Sequence, residues 1–301
     1  MKRSLIAALL ISGIAIAAPL SIRDGLGRAV TVNAPVKRIV ALSLTVTEIL
    51  ADINLPPIGR PSSANFPEAF TKNIAEVGSA YRPDLEKVVA LKPDLLLGSV
   101  GTTAASARAL GALNVPLIVT PDSSLNDVYG TYTLIGQLTG QEAQAKLALT
   151  ILKNKIARVI AKVSKTASKP KVLALLAAGG QSFSTTDETY IGDLIEKLGG
   201  INIAKGTPSA DPRQPGFVVL SLEQIVASNP DVILAFRPRT AQGGFAPSPL
   251  EKLEGQPAYQ ALNAVKNARV HLLDAEPFVT APGPRATTSL EQLLPLLYPK
   301  K

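Results

Sequence analysis

The sequence predicts an α/β protein of two similar lobes with parallel-sheet cores, joined by one long helix, with a cleft between the lobes. Three observations carry this. Asp84–Leu97 returns as Ser221–Leu234 in one shared frame: a cap, Leu, Glu, any residue, a branched apolar residue, Val, Ala, two residues, Pro-Asp and an apolar run. A basic residue precedes an apolar run twice, at Arg38-Ile39-Val40-Ala41-Leu42 and at Lys171-Val172-Leu173-Ala174-Leu175-Leu176. Between them, Gln141 to about Ser164 carries almost no helix breaker and is rich in Ala, Leu, Lys and Gln, the composition of a continuous helix.

Each copy of the repeat reads as helix, tight turn, buried strand. Asp84 and Ser221 are natural N-caps, and Glu86 and Glu223 sit where the helix dipole favours a carboxylate. A residue before proline avoids helical angles, so the helices end at Lys92 and Asn229. Leu95–Leu97 and Val232–Leu234 lack alternation, as strands covered on both faces do.

The remaining elements follow in order. Met1–Ala17 is an export signal: Lys2 and Arg3 start it, Leu5–Ile16 is its apolar core, and Ala15-Ile16-Ala17 fits a small-x-small cleavage site before Ala18. Leu20–Val32 forms a hairpin about Asp24–Gly27. Ser43 opens a helix through Leu50, and Arg60–Pro67 is a turn-rich loop. Gly98–Thr103 is a polar loop at the carboxyl end of a strand, where open α/β sheets hold ligands. A strand at Val115–Val119 and a helix capped within Asp122–Asp127 complete a first lobe over residues 18–140. The linking helix takes 141–168. The second lobe, 169–301, runs strand, the Gly179–Ser182 loop, a helix over Ile191–Leu198, the irregular Thr207–Gly216, the repeat, the loop Arg237–Thr240, a last strand Arg269–Leu273, a Pro/Gly loop over Phe278–Arg285 and a closing helix. A rigid connector leaves the lobes few places to hinge.

Composition narrows the chemistry. The chain has 301 residues and a formal charge of +8 that falls to +6 without Lys2 and Arg3. It has no cysteine, which excludes disulfides, thiol catalysis, thiolate metal sites and a lipid-anchor cysteine, and implies an exported protein free in the periplasm. One histidine, His271, lies in an apolar strand and reads as structural, so a histidine metal site is not expected. The chain has no Gly-x-Ser-x-Gly elbow, no phosphate loop and no dinucleotide fingerprint. These counts predict a protein that is not an enzyme and uses no cofactor or catalytic residue. No basic run interleaved with aromatics suggests nucleic acid.

Arginines in loops remain: Arg60, Arg82, Arg213, Arg237, Arg239 and Arg285. Singly, each is a solvated surface residue. As a set flanking one cleft, guanidinium forks suit carboxylates, catecholate oxygens and other anionic chelates. Tyr81, beside Arg82, is either a wall of that cleft or an ordinary half-buried tyrosine. Glu86 and Glu223 either complement helix N-termini alone or, one per lobe, make a two-point docking surface for a two-fold partner.

These residues resemble a known family. Arg38-Ile39-Val40-Ala41-Leu42-Ser43, then Thr47-Glu48-Ile49-Leu50, Val77-Gly78, Pro83-Asp84-Leu85-Glu86 and Leu91-Lys92-Pro93-Asp94-Leu95 are similar to the periplasmic binding proteins of iron-siderophore, haem and cobalamin ABC importers. Ile22-x-Asp24-x-Leu26-Gly27-Arg28-x-Val30 resembles the opening of their siderophore-binding members. The resemblance implies ligand held between the lobes with little closure. It also implies docking of Glu86 and Glu223 onto arginines of a permease dimer, with the receptor acting as a monomer. Haem-binding members carry a tyrosine directly after Val-Gly; here Ser79 stands there and Tyr81 lies two residues on. Cobalamin binders wall the corrin with aromatics in loops where this chain has Ser63 and Ala80. A ferric siderophore is therefore the expected ligand, held by Ser63, Tyr81, Arg82, Arg213, Arg237, Arg239 and Arg285. Cobalamin, haem, or an exported enzyme on the same scaffold are the alternatives.

Overall fold

The computed structural model describes residues 18–163, 168–178, 180–209, 215–240 and 244–299. The expected export signal and Arg213 lie outside them.

The repeat dictates how each sheet is anchored. Asp84 accepts from the Lys87 N–H at 3.1 Å, and Ser221 accepts from the Gln224 N–H while Gln224 returns a bond to the Ser221 N–H, a complete capping box. The helices Leu85–Ala90 and Leu222–Ser228 then stop at Lys92 and Asn229, which take left-handed angles, φ 47° and 43°. The aspartate after each proline does the same work twice. Asp94 accepts from the N–H groups of Lys37 and Arg38 at 2.8 and 2.9 Å, and Asp231 accepts from the Lys171 N–H at 2.8 Å. Each aspartate thus pins the entry of the strand beside it, and the basic side chain there caps the repeat helix: Arg38 donates to the carbonyls of Leu91 and Lys92, and Lys171 to that of Ser228.

The first sheet has five parallel strands in the order Ala75–Glu76, Gly59–Arg60, Ile39–Ala41, Leu95–Ser99, Leu117–Thr120. The second has Phe217–Val218, Gln181–Thr185, Lys171–Ala178, Val232–Arg237 and Val270–Asp274 in that order, with Ile201–Asn202 paired to the start of Lys171–Ala178. Its centre is parallel, but Gln181–Thr185 runs antiparallel to Lys171–Ala178 and Phe217–Val218 antiparallel to that. The sequence reading placed a loop at Gly179–Ser182. Ala178 instead pairs with Gln181, so the chain turns straight back into a strand.

Helices Leu125–Thr139 and Glu142–Ile160 lie between the sheets in sequence, and the second is the expected long connector. It buries Ala145, Ala148, Leu152, Ile156 and Val159, a helical stripe, against the closing helix Ala286–Leu297 and its neighbours. The hairpin Ala18–Arg23 with Ala29–Ala34 is formed as expected and is fixed by Asp24, whose carboxylate takes the Arg28 guanidinium at 2.6 Å. One apolar core runs through both halves: Ile39, Leu95 and Leu97 of the first sheet share it with Val172, Leu234 and Phe236 of the second.

Candidate functional site

Two adjoining cavities open between the lobes, with Tyr81 and Val279 in the walls of both. Both lie at the carboxyl ends of the strands, where a parallel sheet leaves its loops free to carry function. The inner one, about 130 Å³, takes Gly101, Thr102 and Asp122 from the first lobe and Thr185, Tyr190 and Phe217 from the second, among others. The outer one, about 450 Å³, is lined chiefly by second-lobe residues, including Leu176, Gln181, Pro238, Pro247 and Lys252.

Tyr81 is presented by a tight loop. Gly78 and Pro83 bridge across it, and Gly78 has φ 92°, where a Cβ would meet the Asp84 amide nitrogen at 2.9 Å. Glycine is required there. Tyr81 keeps half its surface exposed, yet partial desolvation in the cleft, and then the Asp122 carboxylate, hold its phenol above the ordinary value.

Asp122 follows the strand Leu117–Thr120 and faces the loop after Leu95–Ser99. It accepts from the Gly101 N–H at 3.0 Å and from the Ser99 hydroxyl. Burial raises its carboxyl above the usual range, against those bonds, and the like charge of Asp127 adds to the rise.

None of the expected arginines among the described residues lines either cavity. Arg237 donates through Nε to the Ala246 carbonyl at 3.0 Å; Arg239 pairs with Asp274 at 2.6 Å. Both guanidiniums stand 5.1 Å from the Phe245 ring centre, a cation–π pair on one exposed ring, beside the outer cavity's Pro238 and Ala246. Arg82 is exposed next to Tyr81. Ser63 is exposed in its loop, outside the lining of both cavities.

Arg285 is engaged elsewhere. Its Nε and Nη2 clasp both oxygens of Glu48 at 3.0 and 2.5 Å, its Nη1 reaches Glu276 at 2.9 Å, and Phe66 covers it at 5.0 Å. It ties the first lobe's opening helix, Leu44–Asp52, to the second lobe. Arg60 is also structural: buried, it donates to the carbonyls of Thr71 and Pro61 and pairs with Glu76.

The sequence reading singles out the Gly98–Thr103 loop, which holds Thr102, but neither Asp122 nor Thr185. A signal for Asp122 is available, since it sits just past a strand's carboxyl end beside that loop. Thr185 has none, because the first residues of its strand, Gln181 and Ser182, read as part of a loop.

Glu86 and Glu223 are exposed in the first turns of their helices, and neither makes an ion pair with a described residue. Val89 and Val226, one turn on, are 49% and 38% exposed, so the two lobes display the same acidic and apolar pair. His271 sits in the edge strand Val270–Asp274 opposite Leu234, its imidazole pushed down by burial and by Arg269. Among the described residues, no group of His, Asp and Glu is arranged to hold a metal ion, and no helix is long and apolar enough to cross a membrane.

A cleft walled by two lobes, with hydrogen-bonding groups converging from both, is the geometry of a two-lobed ligand receptor. Comparison with known proteins agrees. Residues 39–277 match the family model described as periplasmic binding protein, and the chain belongs to that family. It is 29% identical over 290 residues to the uncharacterized ABC transporter substrate-binding lipoprotein YvrC of Bacillus subtilis, covering 93% of this chain and 86% of that one. The high-affinity heme uptake system protein IsdE of Staphylococcus aureus is 29% identical over 268 residues, 88% of each. The crystal structure of IsdE complexed with heme superposes with a TM-score of 0.74 at 26% identity, over 87% of this chain and 98% of that one. FeuA of Bacillus subtilis, a triscatecholate siderophore binding protein complexed with ferri-bacillibactin, shares the fold at a TM-score of 0.71 and 22% identity, over 92% and 98%.

Proposed function

We propose that this protein is the receptor of an ABC importer, that it holds a ferric siderophore in the inter-lobe cleft, and that it passes it unchanged to a permease dimer. The observation that carries the reading is the cleft's equipment. Its outer cavity is lined by Lys252 and by Pro238, which Arg237 and Arg239 bracket in sequence as they stack on Phe245, and Arg82 follows the cleft residue Tyr81, so cations stand near where an anionic chelate would enter. Haem would call for an axial ligand. The chain's one histidine lies on an edge strand, its one methionine is Met1, and it has no cysteine. That leaves the cleft tyrosines Tyr81 and Tyr190, whose phenols resist ionisation. The likeness to IsdE favours haem as the second reading.

Docking rests on the matched lobes. Glu86 with Val89 and Glu223 with Val226 offer a two-fold partner the same contact twice.

Titration of the purified protein tests the ligand. Tryptophan is absent, so tyrosine emission reports binding; a ferric catecholate or hydroxamate chelate should quench it at micromolar concentration or below. A shifted haem absorption band, with no response to any chelate, would replace the first reading with the second. Replacing Glu86 and Glu223 together by Ala should leave ligand affinity intact and abolish uptake; undiminished uptake would remove the docking role.

A further inference from the structure

The inner cavity contains a carboxylate without a counter-ion. Asp122 makes no ion pair with a described residue, and the charged neighbour that most affects it is another acid, Asp127. Its position is built rather than incidental. The Gly101 N–H donates to Asp122 Oδ2 at 3.0 Å, and a Cβ on Gly101 would stand 2.9 Å from that oxygen and push the carboxylate aside. The chain thus brings backbone and carboxylate together at the cost of stranding a negative charge inside the cleft.

A second group in the cavity lacks a partner. Thr185 is wholly buried, lines the same space from the opposite lobe, and its Oγ1 has no hydrogen-bond partner. Buried hydroxyls are almost always satisfied, so an orphan marks a place that something else completes. Glu188 adds a further acid to the lining, and no Lys or Arg lines the cavity among the described residues. The remaining wall mixes apolar side chains, Phe217 and Phe278 among them, with the hydroxyls of Thr102, Ser123, Thr189 and Tyr190, and the Tyr190 hydroxyl is a further one without a hydrogen-bond partner. About 130 Å³ is the share of roughly four waters in the liquid, room for an ammonium on a short alkyl stem and for little more.

Building on the receptor reading above, we infer that the inner cavity seats a protonated primary amine carried by the ligand, with Asp122 as its counter-ion and the Thr185 hydroxyl accepting a second N–H. The ligand class is then a metal chelate with two poles. Its anionic body lies in the outer cavity, which Lys252 lines, and a short aminoalkyl arm reaches between the lobes. The acidic inner cavity also fixes orientation, because the reversed pose places the anionic body against Asp122 and Glu188.

The test uses two ferric tris-catecholate chelates that differ only in the substitution of one nitrogen: one carries a free aminopropyl arm, the other has that amine acetylated and so uncharged. The full-length mature protein should bind the free-amine form about ten- to a hundred-fold tighter, the range for a buried hydrogen bond to a charged group. Asp122→Asn, which keeps an oxygen for the Gly101 N–H, should erase that preference, the free-amine form losing ten- to a hundred-fold more affinity than the acetylated one. Thr185→Val should reduce the preference by a smaller factor, and unaltered melting curves would show both variants folded. Equal affinity of the wild-type protein for the two chelates overturns the amine pocket and leaves the siderophore reading standing. Binding of neither chelate, with haem bound instead, overturns the siderophore reading and the pocket with it.

Discussion

Arg285 and Glu48 offer the sharpest test of how the lobes are held together. Glu48 is 4% exposed at its side chain and Arg285 17%, and the pair is bidentate across the lobe boundary. Burial pushes the Glu48 carboxyl up to about 7, outweighing the neighbouring guanidinium, with Glu276 adding a like charge. A raised acid favours the folded state while it is protonated. Its contribution is therefore fully present below the ordinary value of 4.5 and is lost as pH rises through about 7. A displacement of that size corresponds to about 3 kcal/mol.

The two partners are then unequal. Arg285→Ala leaves a buried carboxyl with no cation and should cost about 3–5 kcal/mol at pH 8, lowering Tm by about 10 °C in a chain of this size. Glu48→Gln leaves Arg285 its second partner, Glu276, and removes the group that resists ionisation. It should cost little at pH 8 and should flatten the fall in stability between pH 5 and 8. Thermal melts of the three proteins at pH 5 and 8, followed by circular dichroism, decide the matter. Equal losses at pH 8 for both variants would mean that the ion pair itself stabilises the fold and that the raised acid is wrong. No loss for Arg285→Ala would mean that the lobes do not depend on this contact.

Three other expectations concern the scaffold. Asp94→Ala removes carboxylate bonds to two strand-entry N–H groups and should cost about 2 kcal/mol, with Asp231→Ala costing about half as much for its single bond; urea denaturation midpoints give both numbers. Gly192 lies in the helix Tyr190–Lys197 where a Cβ would stand 2.0 Å from the Thr186 carbonyl oxygen. Gly192→Ala should force that helix off its loop at a cost of about 3 kcal/mol, readable in the same assay. Small-angle scattering of the ligand-free and ligand-bound protein should give nearly superimposable curves; a contraction typical of hinged closure would refute the rigid coupling of the lobes.

The sequence carried the scaffold well because the scaffold rests on local rules applied twice. N-caps at Asp84 and Ser221, breaks at Lys92-Pro93 and Asn229-Pro230, and unalternating strands are each legible within a few residues. The Pro-Asp signature went further than expected, since its aspartates proved to anchor the neighbouring strands. The antiparallel edge was missed although Gly179-Gly180 between two strand-forming runs is a hairpin signal. The site was less legible, because loop arginines look alike in sequence and differ only in what surrounds them. Arg285 and Arg60 point into carboxylates and carbonyls, Arg237 and Arg239 stack on Phe245, and Arg82 faces solvent. Asp122 matters through its lack of a counter-ion, a property of three-dimensional surroundings that no spacing encodes.

The shared core bears on how such a receptor selects its ligand. Tyr132 and Leu138 of the first lobe, Ile156 of the connecting helix, and Leu194 and Leu290 of the second are buried in one cluster. The Leu125 N–H reaches across to Asp193 at 2.9 Å, and Glu48 to Arg285, on the same boundary. Swinging the lobes apart would expose several of these side chains at about 1.5–3 kcal/mol each, more than a cleft ligand would recover by closing them. The cleft is thus held open at nearly its binding width before the ligand arrives. A preformed site of this kind discriminates by what it already contains, here the Asp122 carboxylate and the unpartnered hydroxyls of Thr185 and Tyr190. Charge placement rather than closure is then the property on which selection acts.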